Sequence, residues 1–151
     1  MLVLMCEAAG NRFALPARQV VEVVARVRLQ TVPHAPAWLA GVCVYRGRVT
    51  PVMDLTYLIS AKPCPSRWAS RILLVPITAE STAPLCGLIV EKVKVAQVDA
   101  GGDTAAALPV GIAPWGPVLL DAEGMFQLLE LPRLFSAERR AALLPPTSER
   151  G

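Results

Sequence analysis

Residues 32–58 read VPHAPAWLAGVCVYRGRVTPVMDLTYL, and the middle of this stretch has the pattern of a tight β-hairpin. Val42-Cys43-Val44-Tyr45 is apolar and β-prone, Arg46-Gly47 can turn, and Arg48 to Met53 runs back. Gly47 supplies the positive φ that a two-residue turn needs, although Arg in the first turn position departs from the usual Asn or Asp. Pro33 and Pro36 interrupt regular structure upstream, and Gly41 marks a sharp entry into the first strand. Pro51 withholds an N–H from the ladder, which predicts a sheet edge or a bulge for the returning strand. Asp54 stands at the N-cap position of a short helical turn through Leu58. Two arginines, Arg46 and Arg48, sit at the hairpin tip.

Outward from this hairpin, strand–turn–strand recurs along the chain. Leu2–Ala8 and Arg12–Leu15 flank a turn at Ala9-Gly10-Asn11, and a valine-rich strand is predicted over Val20–Val27. Glu22 in that run either faces water or is partly buried and paired with a cation. Strands are predicted over Arg71–Ile77, Leu85–Val90, Val93–Val98, Pro117–Leu120 and Met125–Leu129. Lys62–Ser70 is a loop with two prolines, in which Cys64 and Trp68 are either partner contacts or loop packing. Asp99–Ala107 (DAGGDTAAA) reads as a flexible linker. Leu134–Leu144 has an amphipathic helical pattern with Ser136 as N-cap, ended by Pro145-Pro146. Short turns in place of crossover helices predict a mainly β domain of antiparallel barrels or a sandwich. One domain is expected over residues 1–140, with a frayed tail over 141–151.

At 151 residues, the chain is long enough to bury a sizeable core. Hydrophobic residues make up 54% and charged residues 18%, too little charge to cover a surface, so apolar patches should face partners. The net charge of +3 comes from scattered arginines without the dense basic stripe and interleaved aromatics of a nucleic-acid site. Cys6, Cys43, Cys64 and Cys86 are widely spaced beside a single histidine, which argues against zinc or a redox dithiol and for a reducing compartment. Met1–Glu7 lacks the basic region of a signal peptide, and no apolar run reaches the roughly 18 residues of a membrane span. A soluble cytoplasmic protein is expected.

Catalytic machinery is not legible. His34 lies in a proline-flanked loop with no serine or cysteine motif to activate. There is no G-x-S-x-G, no H-E-x-x-H, no phosphate-cradling glycine loop, and no paired carboxylates. The expectation is a binding module with no catalytic residues, no metal and no cofactor.

Ordered motifs then carry a resemblance. Phe13-Ala14-Leu15-Pro16, Val20-Val21-Glu22-Val23, Val32-Pro33-x-x-Pro36-x-Trp38-Leu39-Ala40-Gly41-Val42 and Arg46-Gly47-x-Val49-x-Pro51-Val52-x-Asp54-Leu55 resemble the signature of the CheW family of bacterial chemosensory coupling proteins. Leu85 to Val93 resembles its second glycine–hydrophobic–acidic segment, and Pro117 to Leu131 its C-terminal strands. The resemblance implies two interlocked five-stranded SH3-like β-barrels around a shared core, with short helical turns and a C-terminal helix. It implies a non-catalytic adaptor between the cytoplasmic tip of a methyl-accepting chemoreceptor and the regulatory domain of a CheA-type histidine kinase. The receptor helices would lie in a groove between the barrels and the kinase would meet exposed barrel ends. Recruitment to the inner membrane face would run through the receptors, without direct insertion.

Carried over by position, Val20, Glu22, Gly41, Arg46, Gly47, Gly87 and Val93 match places the family uses at the receptor groove or its support. For Val20 and Val93 the alternative is core packing, and for the glycines backbone geometry. Glu22 and Arg46 are expected to form a partly buried ion pair. The short, Ala/Gly-rich stretch between Val98 and Pro117 is similar to coupling proteins of Wsp-type surface-sensing systems. A scaffold for another helical partner without a kinase, or a small-molecule-binding β-barrel, are the alternatives.

Overall fold

The computed structural model describes residues 1–98, 108 and 111–144. Among these residues ten strands form two five-stranded sheets. They are β1 (Leu2–Ala8), β2 (Asn11–Pro16), β3 (Glu22–Ala25), β4 (Leu39–Tyr45), β5 (Arg48–Asp54), β6 (Arg71–Pro76), β7 (Leu85–Val90), β8 (Lys92–Gln97), β9 (Val118–Asp121) and β10 (Gly124–Leu128). The first sheet has the order β8-β1-β2-β10-β9, the second β3-β6-β7-β5-β4. Helices are few and short: α1 (Leu55–Ser60), α2 (Leu131–Leu134) and α3 (Ala137–Leu143). The mainly β, SH3-like expectation stands. The chain starts in sheet one, crosses to sheet two after a 3₁₀ turn at Ala17–Gln19, and returns to sheet one at Glu91.

Burial explains why several strands are continuously apolar. In β1, Leu4 and Cys6 point into a core shared by the two sheets, while Val3 and Met5 point into the separate interior of sheet one. In β6, Leu73 and Val75 join the shared core, and Ile72 and Leu74 fill the interior of sheet two. Strands buried on both faces lose the polar half of the period-two pattern. The buried thiols of Cys6 and Cys86 are pushed up to about 12 by desolvation, so they pack as small apolar groups.

Several expectations are corrected. Each sheet contains one parallel pair, β2 with β10 and β5 with β7, joining strands far apart in the chain. The strand expected over Val20–Val27 spans only Glu22–Ala25. Arg26 leaves the sheet because its guanidinium donates to the carbonyls of Cys64 and Pro65. β5 lies inside sheet two, so Pro51 is not on an edge strand. It is tolerated because β7 pairs only with Val52–Asp54. On the other side, Pro51 faces Val42 three pairs from the Tyr45–Arg48 turn pair, a register position where neither residue donates across the ladder. The helix expected over Leu134–Leu144 is present as α3, capped as expected by Ser136, whose Oγ accepts from Arg139 N at 3.3 Å, and the separate turn α2 before it was not expected. α3 runs past the expected domain boundary to Leu143, which packs on the shared core with Leu144. The predicted linker at 99–107 and the rest of the expected tail, 145–151, lie outside the described residues.

No ladder joins β3 to β4, the outer strands of sheet two, among the described residues. The gap is stitched at two points. Gln30 and Val42 exchange N–H···O bonds of 2.9 Å, and Glu22 reaches the end of β4. Glu91 performs the corresponding task at the crossover. Its Oε2 accepts from Ala9 N at 2.6 Å and Thr56 Oγ1 at 3.0 Å, tying the first turn to α1.

Candidate functional site: the hairpin end and the cleft between the sheets

The β4–β5 turn places both Arg46 (φ 49°) and Gly47 (φ 77°) at positive φ, as a two-residue type I′ turn requires. That conformation aims Arg46 back across the sheet end. Its guanidinium lies 5.1 Å from the Tyr45 ring centroid, and Nη2 stands 3.3 Å from Glu22 Oε1. Tyr45 also donates its hydroxyl to Glu22. The expected ion pair therefore exists, but its side chains are 70% and 43% exposed, not partly buried. Water screens it, and the energetics of a buried pair do not apply.

Glu22→Ala and Arg46→Ala should each change unfolding free energy by about 1 kcal/mol or less, with coupling below about 1 kcal/mol in a double-mutant cycle. Coupling of several kcal/mol in urea unfolding would contradict this. The hydrogen bond to Glu22 raises the Tyr45 phenol above its ordinary value. A raised folded-state pKa gives stability that is full below the unfolded tyrosine value and lost as pH rises through the folded one. In a Tyr57→Phe background, tyrosinate absorbance should appear at lower pH once Glu22 is replaced by Ala.

The hairpin carries an apolar outer face. Val44 and Val49 are cross-strand partners, each 72% exposed. A matching pair, Leu120 and Met125, lies across β9 and β10 at the far side of sheet one. That second hairpin is held to β2 by Arg12, which donates to both Asp121 carboxylate oxygens at 3.0 and 2.7 Å. The guanidinium keeps the Asp121 carboxyl below its ordinary range.

A cleft of about 670 Å³ opens between the sheets. Lys92, Val93 and Lys94 come from sheet one, and Arg71, the partner of Ala25 in β3, comes from sheet two, with Trp68 from the loop before β6. Val95 continues the Val93 face of β8 and is 65% exposed.

The seven residues singled out from sequence do not form one surface. Glu22, Arg46 and Gly47 meet at the hairpin end. Val93 lines the cleft, and both it and Val20 rest on the shared core. Gly41 and Gly87 are buried in sheet two, where there is no room for a side chain. A Cβ on Gly41 would stand 2.5 Å from the Gln30 carbonyl oxygen, and one on Gly87 2.7 Å from Ile72 Cγ2. Sequence reasoning passed over Val44 and Val49, whose outward alternation in a half-buried hairpin was the available signal.

Two sheets on one core, presenting an apolar hairpin end and an open cleft, define a binding scaffold. Among the described residues no cluster of three or more His, Cys, Asp or Glu could hold a metal, and no helix is long and apolar enough to cross a membrane. Residues 2–139 match the CheW-like domain, and the chain belongs to that family of non-catalytic scaffold and adaptor domains. Protein PilI of Pseudomonas aeruginosa is 34% identical over 84 residues, 56% of this chain but only 45% of PilI. The crystal structure of the scaffolding protein TtCheW from Thermoanaerobacter tengcongensis superposes with a TM-score of 0.74 at 23% identity, covering 91% of this chain and 89% of that one, and shows the same fold.

Proposed function

We propose that this chain is a cytoplasmic, non-catalytic adaptor that joins the cytoplasmic tip of a methyl-accepting chemoreceptor to the regulatory domain of a CheA-type histidine kinase. The observation that carries this reading is the separation of two accessible surfaces on one packed core. A cleft lined by Val93 and Trp68 among charged side chains lies between the sheets, and the Val44–Val49 patch stands on a hairpin end. The cleft suits a helical hairpin laid in a groove, and the patch suits a second folded domain. Membership of the CheW-like family and the likeness to PilI support a chemosensory setting. The Wsp-type likeness rests on the stretch between Val98 and Pro117, most of which lies outside the described residues.

The test is a three-component size-exclusion and pull-down experiment with a receptor-tip fragment and the kinase regulatory domain from the same genome. Both partners should bind at once. Val95→Asp should lose the receptor and keep the kinase, whereas Val44→Asp should do the reverse, and Arg46→Asp reports on the hairpin tip. Binding to neither partner by protein with normal circular dichroism would overturn the coupling role and leave a scaffold for another helical partner.

A further inference from the structure

Trp68 is the most exposed large hydrophobic side chain among the described residues, at 90%. Its loop is nonetheless cross-braced. Cys64 N donates to Asp54 Oδ2 at 2.8 Å, and Arg26 holds the Cys64 and Pro65 carbonyls. Ser70 Oγ donates to the Pro65 carbonyl and accepts from Arg67 N, while Arg71 Nη1 donates to the carbonyls of Trp68 and Ser70. The indole thus stands in water on a loop already ordered by its own hydrogen bonds. An aromatic presented this way loses little conformational entropy when a partner covers it.

Cations outnumber carboxylates around it. Arg12, Arg71, Lys92 and Lys94 line the same cleft, against Glu7 and Glu123. Arg12 is held by Asp121 and Glu123, and Lys94 by Glu123. Arg71 and Lys92 have no carboxylate within ion-pair distance among the described residues. Lys92 faces Glu7 across the β1–β8 ladder without an ion pair. An apolar knob beside two cations free of ion pairs among the described residues fits a helix carrying a large apolar side chain with a carboxylate one turn away.

We propose that Trp68, Arg71 and Lys92 form a second anchor at the cleft, selecting receptor-tip helices that carry an acidic residue next to their apolar stripe. The proposal rests on the receptor-groove reading above and adds a specificity determinant to it. Titration of a labelled receptor-tip fragment by fluorescence anisotropy tests it. Trp68→Ala should weaken binding about tenfold or more, with the melting temperature unchanged because the indole packs on almost nothing. Lys92→Glu should weaken binding and flatten its dependence on salt. If Trp68→Ala and Lys92→Glu bind like the original protein while Val95→Asp does not, the anchor is wrong and the groove reading stands. If the original protein fails to bind the receptor-tip fragment, both fall together.

Discussion

Gly41→Val is expected to lower the unfolding free energy by about 4 kcal/mol, the sum of backbone strain and overpacking. Gly41 sits at φ +151°, a region that side chains rarely enter, and a Cβ there would also stand 3.0 Å from Leu29 Cβ, besides its collision with the Gln30 carbonyl. That carbonyl is one of the two acceptors in the Gln30–Val42 bridge. The substitution therefore strikes the point at which the far side of sheet two is drawn onto β4. Domains of this size are stable by only about 5–15 kcal/mol, so a large share of the molecule's stability is at risk. Urea unfolding followed by tryptophan fluorescence measures it, and a loss below about 1 kcal/mol would mean the bridge is not closely packed.

The second large effect is expected at Asp54. Its side chain is buried, with Oδ1 accepting from Tyr57 N at 3.1 Å and Oδ2 accepting from Cys64 N at 2.8 Å. One carboxylate therefore caps α1 and fixes the start of the loop that carries Trp68. Asp54→Ala removes a cap and leaves the buried Cys64 amide without an acceptor, together about 3 kcal/mol. Asp54→Asn keeps one acceptor oxygen and should lose roughly half as much. Thermal melts give the totals, and amide exchange at Cys64 separates the two bonds. Unchanged protection of that amide in the alanine variant would show that the loop is held elsewhere.

The central hairpin and the Asp54 cap were legible because their determinants are local: β-branched residues, a glycine that can take positive φ, and a side-chain acceptor one turn ahead of its donor. The family signature could be seen for the same reason, as short motifs in order. The parallel pairs β2–β10 and β5–β7 were not, because nothing in Phe13-Ala14 specifies Gln127-Leu128 as neighbours. Glu91 falls within the Leu85–Val93 motif, yet its partners lie at Ala9 and Thr56, 82 and 35 residues away. Of the candidate site, the hairpin charges could be found, since a glutamate in a valine run calls for a partner. Their exposure could not, because whether Glu22 meets water depends on how far β3 extends beyond its neighbours. The readings of Gly41 and Gly87 needed the distances to Gln30 and Ile72.

The order in which the strands are threaded has a consequence for biosynthesis. All five strands of sheet two come from one uninterrupted run, residues 22–90, whereas sheet one is assembled from both ends of the chain. A nascent chain can therefore complete the second sheet while the ribosome is still making the rest. The β1–β2 hairpin, made first, must wait with a bare edge on β2 until residue 128 has emerged, for β10 is its other neighbour among the described residues. An unpaired edge held open during translation is a place where two growing chains can pair with each other. The earliest part of the protein to be synthesised is thus among the last to be finished.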